Sequence, residues 1–148
     1  MPEYADIYVI SDKRDSVTVN RFLNHFLPKR EESSDGYGVP QFSDSPELMF
    51  TRVNELVEFC SNNRNIEHFI YWRALNQNKP EHGMVFYLQD GYVIYGLSTD
   101  TNNSKFTQKL LKDLQEHIGS NLGYIAFEEA PDVDNLDEFK QQILCHKP

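Results

Sequence analysis

The sequence predicts an α+β fold: one domain over residues 1–148, built as a mixed or mainly antiparallel sheet of about five strands with helices packed on it, in the order β-α-α-β-β-β-α-β-α. Three observations lead there. A chain of 148 residues is about one domain's length and buries enough surface to hold a core without staples. Apolar residues recur at helical spacing in four segments and alternate in five others, with no internal repeat and no second composition regime. Finally, Asp90-Gly91 joins two alternating runs, the strongest short-range hairpin signal a sequence offers, and this makes the sheet antiparallel there.

Residues 4–10 are β-branched and aromatic and end in the polar turn Ser11-Asp12-Lys13-Arg14-Asp15, as a strand leaving its sheet does. Val19, Phe22, Leu23 and Phe26 then fall on one helical face, with Asp15 or Ser16 as cap and Pro28 as stop. Residues 28–46, with three Pro, two Gly and no apolar period, read as a long loop. Loops beyond about 12–15 residues inside a domain are uncommon and are often functional, so this one is a candidate lid or binding loop. Next, either Ser45 caps a helix with Pro46 at its first position, or a short strand at 48–50 precedes a helix capped by Thr51. Both readings put Val53, Leu56, Val57 and Cys60 on one stripe.

From Glu67 the period becomes two: Ile70, Trp72 and Ala74 alternate with Phe69, Tyr71, Arg73 and Leu75. A turn-rich break at 76–83 leads to the paired runs 84–89 and 92–97. A polar connector at 98–104 enters a helix with Leu110, Leu111, Leu114 and Ile118 on one face and Gly119 just past its end. Residues 124–127 form the last strand, and the passage from 92 to 127 permits a right-handed crossover. The final helix starts near Asp134, carries Leu136, Phe139 and Ile143 on one side, and has a negative start and a positive end that suit its dipole.

Fourteen Lys and Arg against twenty-three Asp and Glu give a net charge of −9, which disfavours nucleic acid or an anionic membrane as the main partner. No basic leader and no run of about eighteen apolar residues occurs, so a cytoplasmic location is expected. Cys60 and Cys145 stand singly and are expected to be reduced and buried. The five histidines show no H-x-x-x-H, H-x-E or H-E-x-x-H spacing, and G-x-S-x-G is absent. The nearest thing to a phosphate loop, residues 96–100, contains an Asp that would repel phosphate. No catalytic residue, metal or cofactor is therefore expected. Asp12 and Asp15 flank Lys13 and Arg14 and read as a self-neutralising turn.

The acid is unevenly placed. Eight carboxylates and no Lys or Arg lie between Asp113 and Glu138, while the rest of the chain has fifteen acids against fourteen bases. Asp134 and Asp137 fit a helix start, but Glu128, Glu129 and Asp132 have no such role. They read either as a solvated acidic face or as a docking face for a basic protein. Trp72 and Arg73, of residue types that dominate interfaces, are the best single anchor candidate in the sheet.

The runs ISDKRD, FIYWRAL, YGLSTD and GYIAFEEAP resemble those of small acidic bacterial cytoplasmic proteins, and more loosely of the immunity proteins that neutralise toxins of competing bacteria. That resemblance implies a binding role and carries no residue over by position. The leading expectation is a non-enzymatic domain that binds a basic protein through Glu128, Glu129, Asp132, Trp72 and Arg73. The alternative is a small enzyme or small-ligand domain with a pocket under the 28–46 loop, near Asp12 and residues 98–100. A homo-oligomeric structural subunit is a third reading.

Overall fold

Asp90 and Gly91 turn the chain where the sequence places a turn. Gly91 takes φ +94°, a conformation suited to glycine, and the Asp90 Oδ1 accepts from the Tyr92 N–H at 3.0 Å. The fold is taken from a computed structural model that describes residues 3–75, 78–101 and 103–147. The N-terminal Met1-Pro2, the start of the predicted 76–83 break and Asn102 in the predicted connector lie outside the described residues.

The elements in chain order are β1 (Tyr4–Ser11), α1 (Ser16–Phe26), β2 (Arg30–Glu32), β3 (Tyr37–Val39), β4 (Leu48–Phe50), α2 (Val53–Asn62), β5 (His68–Ala74), β6 (His82–Tyr87), β7 (Val93–Asp100), α3 (Ser104–Ile118), β8 (Gly123–Phe127) and α4 (Leu136–Cys145). Six strands form one sheet in the order β2-β5-β6-β7-β1-β8, and β3 pairs with β4 in a second, two-stranded sheet. Every neighbouring pair is antiparallel. The α+β class holds, with more strands than the five expected. The extra ones lie in and beside the predicted 28–46 loop, which contains β2 and β3. Three-residue strands made of Arg-Glu-Glu and Tyr-Gly-Val are too short and too polar to show a period.

The β7-α3-β8 passage crosses β1 rather than joining neighbours. β7 and β8 both run antiparallel to β1 and occupy its two sides, Tyr8 facing Gly96 on one and Tyr124 on the other. Alternation along the strands then feeds two cores. On one face Ile7, Val9, Trp72, Val85 and Tyr95 pack with Phe22, Leu23, Leu56, Leu110 and Leu114 of the first three helices. On the other Tyr8, Met84, Phe86, Ile94 and Tyr124 pack with Val133 and with Phe139 of α4. Each such buried side chain contributes roughly 1.5–3 kcal/mol of transfer free energy.

The helix ends follow local chemistry. Asp15 caps α1, accepting from the Thr18 N–H at 2.7 Å. Asn103 caps α3, which ends at Gly119 with φ +80°. The cap of α4 is Asn135 rather than Asp134: it accepts from the Glu138 N–H, and the Glu138 carboxylate returns to the Asp134 N–H at 3.0 Å. For α2 the strand reading is the correct one, but Arg52 rather than Thr51 sits at the cap position and no side chain caps the helix.

Arg14 closes the other end of α2. Its guanidinium is buried and donates to the carbonyls of Cys60 (2.7 Å), Asn63 (3.0 Å), Ile66 (2.6 Å) and Leu88 (2.8 Å), and it lies 4.9 Å from the Tyr87 ring centre. One charge thus gathers carbonyls at a helix C-terminus and fastens them to the β6–β7 hairpin. Cys60 is buried, which pushes its thiol up to about 12, whereas Cys145 is exposed on α4 and does not share the burial expected for both.

Candidate protein-binding surface

Past the end of β8 the chain turns sharply. Glu128 takes φ +50°, in the left-handed region that a non-glycine residue enters at a cost of about 1–3 kcal/mol. Neighbouring groups hold it there. The Glu129 N–H donates to the Asp6 Oδ2 at 3.0 Å, the Tyr8 hydroxyl donates to the Glu129 carbonyl at 3.0 Å, and the Glu3 N–H donates to the Glu128 Oε1 at 3.1 Å. Further on, Val133 is buried between exposed Asp132 and Asp134, and the Leu136 N–H donates to the Asp90 Oδ2 at 2.8 Å. The segment 128–136 is therefore strapped onto the sheet at both ends and in its middle.

These moorings leave Glu128, Glu129 and Asp132 exposed. Among the described residues, the only basic group within 4 Å of the three carboxylates is His146, whose Nε2 lies 3.7 Å from the Glu129 Oε2 and whose ring stacks on Tyr124 at 4.6 Å. Beneath them Asp6 is almost fully buried. Burial raises its carboxyl above the ordinary range, hydrogen bonds from the Glu129 backbone and Ser98 partly oppose that rise, and the Glu128 charge adds to it. Asp6 and Tyr8 are the residues that sequence reasoning missed. They lie more than 120 positions away from Glu129, and only the β1–β8 pairing brings them together.

Trp72 and Arg73 do not join this surface. Adjacent strand residues point to opposite faces, so Trp72 is 1% exposed in the core while Arg73 is exposed and paired with Glu31. Four strand spacings separate β5 from β8, about 19 Å. Trp72 is thus a core aromatic and Arg73 a surface cation on the opposite face of the sheet.

The groups expected near a pocket under the 28–46 loop do not come together. Tyr4 faces Asp100 and Ser11 faces Val93, so Asp12 and residues 98–100 lie at opposite ends of the sheet, about 23 Å apart along the strands. A depression of about 510 Å³ does lie against the predicted loop, lined by Tyr37, Pro40, Phe42, Met49, Phe69 and Tyr71 among others. Asp6 and Glu67, the two carboxylates that burial holds above the ordinary range, do not line it. Among the described residues, no group of three or more His, Cys, Asp and Glu is placed to hold a metal ion, and no helix is long and apolar enough to cross a membrane.

No protein-family model and no curated protein matches the sequence. Among solved structures, the chain is similar to a chain in the crystal structure of the toxic C-terminal tip of CdiA from Pseudomonas aeruginosa in complex with immune protein. The match covers 89% of this chain and 90% of that one, with a TM-score of 0.42 and 17% identity. A likeness at that level is one of general layout, and the function has to be read from this chain's own residues.

Proposed function

We propose that this chain is a non-enzymatic protein-binding domain that docks a basic protein partner on the surface formed by Glu128, Glu129 and Asp132. The supporting observation is the fastening of that segment: Asp6 and Tyr8, themselves set in the sheet, hold the Glu129 backbone while the neighbouring carboxylates stay in solvent without Lys or Arg partners among the described residues. Charges held in place before a partner arrives lose little freedom on binding and speed its approach. Occluding a basic toxin is one role that such a surface fits, and it agrees with the sequence's resemblance to immunity proteins.

Selection from a displayed random-peptide library is the test, with the intact protein as bait. Enriched peptides are expected to be basic, to associate more slowly as salt rises, and to bind at least about tenfold more weakly to the variant Glu128→Lys, Glu129→Lys, Asp132→Lys. An on-rate indifferent to salt, or equal binding by a variant that unfolds normally, overturns the proposal.

A further inference from the structure

We propose that the arm of residues 33–50, together with the adjoining face of β5, forms a second docking surface, which takes a basic segment of a partner protein carrying one large apolar side chain. It rests on the protein-binding reading above and adds a different site with its own chemistry.

Three large apolar side chains open on the depression, beside polar residues that include Ser33, Ser34, Ser43 and Asp44. Phe42 is 86% exposed, Met49 61% and Tyr71 45%, and all three line the same hollow of about 510 Å³. Pockets of that size suit a bulky side chain. Large exposed apolar groups gathered in one place are unusual on a surface and mark contact sites.

The arm is rigidly held. The Gln41 side chain accepts from the Phe69 N–H at 2.7 Å and donates to the Phe69 carbonyl at 2.9 Å, which imitates a strand partner for β5. The Ser33 N–H donates to the Tyr71 carbonyl at 3.1 Å, and the Glu47 N–H to the Val39 carbonyl at 2.8 Å beyond the β3–β4 pairing. Phe42 itself takes φ +65°, a left-handed conformation that a bulky residue adopts only when its surroundings impose it. The ring is thus kept in solvent by a fixed backbone.

The rim supplies the sign. Between Glu31 and Thr51 the sequence has five carboxylates (Glu31, Glu32, Asp35, Asp44 and Glu47) and no Lys or Arg; Asp44 lines the hollow, and Asp35 and Glu47 are next in sequence to the lining residues Ser34, Gly36 and Pro46. Glu31 is paired with Arg73 and Glu32 accepts from the Tyr37 hydroxyl, while Asp35, Asp44 and Glu47 form no salt bridge among the described residues. An apolar hollow inside a negative rim selects an occupant with a large apolar group flanked by cations. Phosphate backbones and anionic lipid are repelled by it. A second copy related by a two-fold axis would set the same negative rim against itself.

Isotope-labelled full-length protein titrated with three synthetic peptides provides the test: a Lys- and Arg-rich peptide with a central Trp, the same peptide with Ser for Trp, and one with Glu for every Lys and Arg. The Trp peptide is expected to shift the backbone amides of residues 41–49 and 69–71, the Ser peptide to bind at least about tenfold more weakly, and the acidic peptide to shift nothing. Phe42→Ala with Met49→Ser, both on exposed side chains, is expected to weaken the Trp peptide about tenfold with unchanged thermal unfolding. The proposal is overturned if the Trp peptide leaves these amides unmoved, if it moves only those of 128–132, or if the Ser peptide binds equally. A concentration-dependent dimer abolished by Phe42→Ala overturns it in favour of a second copy. Shifts at 128–132 report on the first surface separately, so either reading can fail without the other.

Discussion

The Tyr8 hydroxyl donates to the Glu129 carbonyl at 3.0 Å, joining the first strand to the acidic segment across 121 positions of sequence. Tyr8 is buried, with its ring tilted against Phe86 and Tyr124, so Tyr8→Phe keeps the packing and removes only the bond. A loss of about 1 kcal/mol is expected. Denaturant unfolding measures it, and faster amide exchange over 129–130 than elsewhere shows where it acts.

Asp6 has the opposite character. Burial raises its carboxyl above the unfolded value of 3.8, so the folded chain holds this proton more tightly than the unfolded chain does. The stability it contributes is therefore present below that value and is lost as pH rises through the folded one. Asp6→Asn is expected to stabilise the protein at neutral pH, still accepting from the Glu129 N–H, with the gain shrinking as pH falls towards 3.8. Unfolding midpoints of the two proteins against pH check this. A variant no more stable at neutral pH would show that the charge itself holds the segment.

Arg14→Met removes a charged donor from four carbonyls: those of Asn63 and Leu88 keep the N–H of Ile66 and of Gly91, while those of Cys60 and Ile66 lose the guanidinium. With a charged donor lost and acceptors left buried, destabilisation of at least about 3 kcal/mol is expected. Arg14→Lys rescues it only in part, because one ammonium cannot spread over four acceptors as a planar guanidinium does. Thermal or denaturant unfolding of the pair gives both numbers.

His117 stacks on His25 at 4.7 Å between centroids, 13° from parallel, with Phe26 at 5.5 Å. Burial, followed by the His25 charge, lowers the His117 imidazole below its ordinary value of 6.5, and burial does the same to His68. The unfolded chain then takes up these protons first, so stability falls as pH drops from neutral through 6.5 towards the lower folded values. His117→Gln is expected to make that fall shallower. An unchanged slope between roughly pH 7 and 5 would contradict it.

Much of the fold was legible where one signal dominated a whole segment. The Asp90-Gly91 turn, the stripe of Val19, Phe22, Leu23 and Phe26, and the alternation through Ile70 and Trp72 each depend on neighbours within a few residues. β2 and β3 were hidden because three residues cannot display a period, and the order of the strands because pairing is set by contacts far apart in sequence. The acidic segment at 128–132 was legible from charge alone. Its moorings to Asp6 and Tyr8 were not, and the rim of the second surface was masked by Lys29, Arg30 and Arg52, which flank a stretch that is itself free of bases.

β1 is the first strand of the chain, yet it sits between β7 and β8, whose paired residues run from 93 to 100 and from 123 to 127. During synthesis its edges stay open until those later strands have left the ribosome. The β5–β6–β7 meander can form early from local contacts, whereas the sheet closes only when the last quarter of the chain arrives. Glu128 and Glu129 follow directly on the strand that completes this closure, so the acidic surface is fastened to Asp6 and Tyr8 only once β8 has paired with β1.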